Sequence, residues 1–169
     1  MRKILDTLYD SAAALAALCM VGLLIMVMLS VLGRQFNFHV RGTDAYAGYL
    51  MAGAGFLSLA HTLKRGEHIR VTLLLSKLTG RAKHGMEVWS LAAASALAGL
   101  FAWYSIKLSV NSFQFNDMST SNDATPLWIP QISMALGALI LFIAFMDDLV
   151  LEVRGKRVQR TSDEPLRNE

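Results

Sequence analysis

Four stretches, at about 11–33, 45–63, 88–106 and 127–146, run for 19 to 23 residues without a single Asp, Glu, Lys or Arg. Each is close to the ~20 residues a helix needs to cross ~30 Å of hydrocarbon. In lipid a helix satisfies its own backbone N–H and C=O groups, which an open sheet cannot do. The fold class that follows is an all-α integral membrane protein with four transmembrane helices. Composition agrees. Hydrophobic residues make up 54% of the chain and charged residues 17%, and the mean hydropathy is +0.41. A soluble domain of 169 residues has too little interior to bury that share of apolar surface.

The charges gather between the apolar runs. The net charge is +3; basic residues flanking apolar runs follow the membrane rule for Lys and Arg rather than a nucleic-acid surface. With the N-terminus inside, thirteen Lys and Arg fall on the cytoplasmic side and three on the outer side (Arg34, Arg41 and Lys107). The reverse orientation inverts that ratio, so both termini are expected in the cytoplasm. Arg2 and Lys3 resemble the start of a signal peptide, but the apolar run after them is too long for an h-region and reads as a retained first helix. Cys19 is the single cysteine, so no intramolecular disulfide forms.

The second loop carries more than orientation. Between residues 69 and 83, Val71, Leu74, Leu75 and Leu78 share one narrow face at 100° per residue, with Arg70, Lys77 and Arg81 beside it. That pattern predicts a short amphipathic helix on the cytoplasmic membrane surface. Ile69 and Leu73 fall outside the stripe and leave open a protein helix as its partner. Residues 1–152 thus form the membrane domain, and 153–169 a charged, disordered cytoplasmic tail. The third loop, 111–125, is polar and carries Asp117 and Asp123.

Chemistry is harder to place. Transporters of charged solutes carry ionisable or broken helices at mid-membrane; these spans hold no Asp, Glu, Lys or Arg, and the one histidine in them, His61, lies close to the inner end of the second. His39, His61, His68 and His84 are scattered, with no i, i+4 pair and no acidic or cysteine cluster in sequence, so no metal site is expected. Asp147 and Asp148 are adjacent, which points them ~100° apart on a helix and reads as solvated interfacial charge. No nucleophile motif or phosphate-binding glycine loop is present; neither catalysis nor a cofactor is expected. Small residues suggest close helix packing, as at Gly48–Ala52 and Ser95–Gly99. Trp89, Trp103, Tyr104 and Trp128 lie near span ends, as interfacial anchors do. Arg34 ends the first span and Asp44 opens the second on the same side, where they either pair to fix the hairpin or stand as solvated charges.

These residues resemble a known family. An arginine ending the first span (Arg34), an acidic residue opening the second (Asp44, with Tyr49 five residues on), the segment Lys64-Arg65-Gly66-Glu67-His68-Ile69-Arg70-Val71, and the opening Pro126-Leu127-Trp128-Ile129-Pro130 with Gly137 are similar to the DctQ-like small permease of tripartite ATP-independent periplasmic (TRAP) transporters. Asp44 stands where glutamate is usual. The resemblance implies a three-component system in the bacterial inner membrane. A periplasmic binding protein delivers an organic acid, such as a C4-dicarboxylate or sialic acid, and a large membrane subunit moves it with sodium. The small subunit scaffolds the large one. The partners implied are that large subunit, the binding protein in passing, and membrane lipids. Arg34 and Asp44 shape the outer hairpin with Arg41 in its turn, Gly66 permits the tight exit from the second span, His68 starts the surface helix and Trp128 opens the fourth span. The competing reading is a self-assembling small transporter or channel.

Overall fold

The computed structural model describes residues 2–38, 40–65, 81–121 and 123–154. They form four helices: α1 (Arg2–Gln35), α2 (Thr43–Arg65), α3 (Arg81–Gln114) and α4 (Trp128–Val153). A single bridge between Met118 and Pro126 is the sole β pairing among the described residues. Among the described residues three stretches are long and apolar enough to cross a membrane: Leu5–Gln35, His84–Gln114 and Trp128–Val153. α2 is not among them. Its glycines, its two tyrosines and His61 dilute the hydropathy, although 23 residues at 1.5 Å each extend about 35 Å.

Several expected boundaries move. The third span was set at about 88–106, but α3 continues to Gln114, so Lys107 and residues 111–114 are helical rather than loop. Trp103 and Tyr104 therefore lie well inside the helix, not at its end, and both face outward, 69% and 59% exposed. Residues 81–83, expected in the surface helix, are the first of α3, and the rest of that helix, with Gly66 and His68, lies outside the described residues. Of the expected tail, Val153 ends α4 and Arg154 caps it; 155–169 lie outside the described residues.

The helices pack in the order α1, α2, α4, α3, with α2 and α4 in the middle. Small side chains set how closely the central pair approaches. A methyl group added at Gly137 on α4 falls 2.5 Å from the Phe56 carbonyl oxygen of α2, a backbone atom that cannot swing aside. Gly53 of α2 leaves room for Cys19 Sγ of α1 and Ser133 Oγ of α4, which lie 3.3 and 3.5 Å from where its Cβ would be. Ala54 and Ala60 of α2, and Ala135, Ala138 and Ala144 of α4, are buried around them. On α3, Gly99 receives the ring of Phe142, and Ser95 one turn earlier is buried, as their spacing suggested. Gly48 does not act this way: nothing lies within 4 Å of its Cβ position and both it and Ala52 are exposed.

Large apolar side chains point outward instead. Leu18, Leu24 and Ile25 on α1, and Leu97, Leu100 and Trp103 on α3, are each more than half exposed. In water this would be an aggregation surface; in lipid it costs nothing. The flanking helices thus present apolar length, and the two central ones present alanine and glycine to each other.

Candidate functional site

Because the helices alternate in direction, both tight connections meet at one end of the bundle. α1 stops at Gln35, and Asn37 follows in the left-handed region (φ 55°), a conformation that asparagine tolerates at a helix end. Gly42 closes the turn into α2 at φ 81°. A side chain there would be strained, and its Cβ would sit 2.9 Å from Cβ of Asp123 on the second connection. α3 ends in a Schellman motif: Asn116 (φ 52°) is left-handed, and the Asp117 N–H bonds the Ser112 carbonyl at 3.0 Å. The chain then folds back on itself, with Ser119 N–H to Thr125 O at 2.8 Å and Leu127 N–H to Asp117 O at 2.9 Å.

This folded loop is tied to the first turns of α2. Tyr46 and Tyr49 stand one turn apart, their rings edge-to-face at 6.1 Å. The Tyr49 hydroxyl donates to Asp123 Oδ2 at 3.1 Å and shares a 2.9 Å hydrogen bond with Ser119 Oγ. The Thr125 and Tyr46 hydroxyls are hydrogen-bonded to each other at 3.2 Å. Thr125, then Ser119, Tyr49 and the backbone, hold the Asp123 carboxyl below its usual 3.8 against an opposing desolvation. Trp128, at the start of α4, anchors the loop's other side through an edge-to-face contact with Phe113 at 5.5 Å. Each neutral hydrogen bond of this kind stabilises by roughly 0.5–1.5 kcal/mol.

Beside this cluster lies the α1–α2 hairpin. Arg34 Nη2 and Asp44 Oδ2 are 4.0 Å apart, and their side chains are 79% and 83% exposed. That is longer than a charge-assisted hydrogen bond, so the pair is a solvated one. Ser30 Oγ donates to Asp44 Oδ1 at 3.3 Å. Ser30, Arg34, Asn37, Thr43 and Asp44 line a cleft of about 200 Å³ together with Phe38. Asp44 in the first turn of α2 also meets the positive end of the helix dipole. Arg41 is exposed in the turn.

The opposite end holds α1 to α2 and α3 to α4 by charge. Lys64 pairs with Asp6 and lies 5.0 Å from the centre of the Tyr9 ring. His61 Nδ1 stands 3.5 Å from Asp10 Oδ1. Tyr9, Ala60, Leu63 and Ala144 form the apolar core beneath them, with Leu5, Ile140, Leu141 and Phe145 packed against it. His84 Nδ1 on α3 lies 3.2 Å from Oε1 of Glu152, a nearly buried carboxylate on α4. Asp147 and Asp148 are half-buried rather than fully solvated.

The sequence reading singled out Arg34, Asp44 and Trp128, which the structure places at the loop end, and it missed Tyr46, Ser119, Asp123 and Thr125 as a unit. The only sequence signal for that unit was the i, i+3 tyrosine pair on α2; nothing local joins it to a loop 70 residues later.

Helices that are apolar outward, packed inward through glycine and alanine, and tied by polar groups at their ends define an α-helical membrane protein. The family model for the DctQ component of tripartite ATP-independent periplasmic transporters matches residues 23–155. The chain belongs to that family and is a membrane component of a tripartite transporter. No curated protein matches it.

Proposed function

We propose that this chain is the non-catalytic small permease subunit of its transporter, scaffolding a large sodium-coupled subunit that takes up an organic acid delivered by a periplasmic binding protein. The observation that carries this is the middle of the helix row. At mid-length α2 and α4 close directly on each other, with Gly137 against the Phe56 backbone, and the charged side chains among the described residues stand toward the helix ends. A solute path needs polar groups or unwound backbone at that depth. The broad apolar faces of α1 and α3 supply contact area for lipid and for a larger membrane partner.

In this reading α2 also crosses the membrane, which makes four spans. Buried between α1 and α4, it needs less hydropathy than a lipid-facing helix. Both termini are cytoplasmic in the inner membrane, which places the Tyr49–Asp123 cluster and the Arg34–Asp44 hairpin on the periplasmic side, where Arg41 and the loop tips can touch the binding protein. Trp128 anchors the outer end of α4. Copurification with a large multi-span subunit tests the reading: the pair is expected to elute together in detergent, and a chain that elutes only with copies of itself contradicts it in favour of a self-assembling channel.

A further inference from the structure

At the end of the bundle opposite the loops, three metal-competent side chains from two helices converge. His84 and Glu87 stand one turn apart near the start of α3, on one face. Glu152, in the last turn of α4, is 7% exposed and directs its carboxylate at them. One donor atom from each of the three lies within 4.8 Å of the others.

We propose that His84, Glu87 and Glu152 bind a divalent transition ion of the Zn²⁺ type, clamping the start of α3 to the end of α4. The donor set is one imidazole nitrogen and two carboxylate oxygens, which suits a borderline ion and not Ca²⁺ or Mg²⁺, whose sites are built from oxygens. The geometry is close to what such an ion needs. Bonds of about 2.0–2.2 Å at tetrahedral angles separate neighbouring ligand atoms by about 3.3–3.6 Å. His84 Nδ1 and Glu152 Oε1 are already at 3.2 Å, and with every donor pair within 4.8 Å, about an ångström of side-chain movement is enough to close the set around an ion. Burial of Glu152 also favours a cation beside it, since charge interactions strengthen as water is excluded. The His84 side chain is 54% exposed, which leaves an entry path and a fourth position for water. The site escaped the sequence reading because its third ligand is 65 residues from the second and on another helix.

The site is independent of the transport assignment and is tested on the full chain, purified through a tag without histidine, stripped of metal and held in nanodiscs. Zinc chloride titrated calorimetrically should bind at one site, and H84A and E87Q should each weaken binding by about tenfold or more. Zinc should raise the unfolding temperature of the wild type by more than that of E87Q at the same concentration. E87Q removes a half-exposed ligand and keeps the packed Glu152, so its fold is the control if H84A is unstable. Binding of equal affinity in wild type and E87Q, or no stoichiometric binding at all, overturns the proposal and leaves His84–Glu152 as an ion pair only.

Discussion

Gly137 shows how one residue sets the spacing of two helices. Its missing Cβ is what allows the Phe56 backbone to come close, and backbone, unlike a side-chain tip, cannot rotate away. Gly137→Ala is therefore expected to push α4 off α2 and cost about 1–3 kcal/mol, the range for overpacking a tight site. Gly48→Ala, at a position with nothing within 4 Å, should be neutral or slightly stabilising because it removes helix-interior glycine. Thermal unfolding of both variants in one detergent distinguishes them, and equal melting temperatures would contradict the packing described. Arg34→Ala sits at the other extreme. With both partners about four-fifths exposed, loss of the Arg34–Asp44 contact should change stability by no more than about 1 kcal/mol. Asp123 gives a pH signature. Its carboxyl is held below 3.8 in the fold, so the ionised form is the one the loop favours. That contribution is whole above the unfolded value and is lost as pH falls through the lower folded one. Asp123→Asn should flatten the acid limb of the stability curve, measured by unfolding between about pH 2 and 6.

For the elements, existence was readable, and lengths and boundaries were not. The uncharged runs announced all four helices, because lipid forbids what those runs lack. They understated α3, whose last two turns carry Lys107, Asn111, Ser112 and Gln114 and so look like loop in a hydropathy pattern. Helix continues there because backbone bonds persist past the hydrocarbon edge until Asn116 turns left-handed. Nor was the folding of the third loop onto α2 legible, since hydroxyl-to-carboxylate contacts between residues 49 and 123 leave no periodic trace. Tyr49→Phe tests that docking. Removing one hydroxyl should cost about 1 kcal/mol and raise amide exchange across 117–127 while leaving the centre of α4 protected. Unchanged exchange in the loop would mean that Gly42 and the Met118–Pro126 bridge hold it without the tyrosine.

At the scale of the whole molecule, the four helices form a row rather than a ring around a pore. α2 and α4 hold the row together, and polar ties sit at both ends: hydroxyls around Asp123 at one, and the Asp6–Lys64 and His84–Glu152 pairs at the other. Such a body is apolar on its flanks, which leaves both outer helices free to meet lipid or another membrane protein. The resemblance read from Arg34, Asp44, the Gly66–His68 segment and the residues around Trp128 pointed to the same family that the match over residues 23–155 establishes. The most direct test of the scaffold role is solute uptake by proteoliposomes, measured with a sodium gradient and the cognate binding protein. Vesicles holding this chain with its large subunit should accumulate the organic acid, and vesicles holding this chain alone should accumulate none. Accumulation by the chain alone would contradict the account.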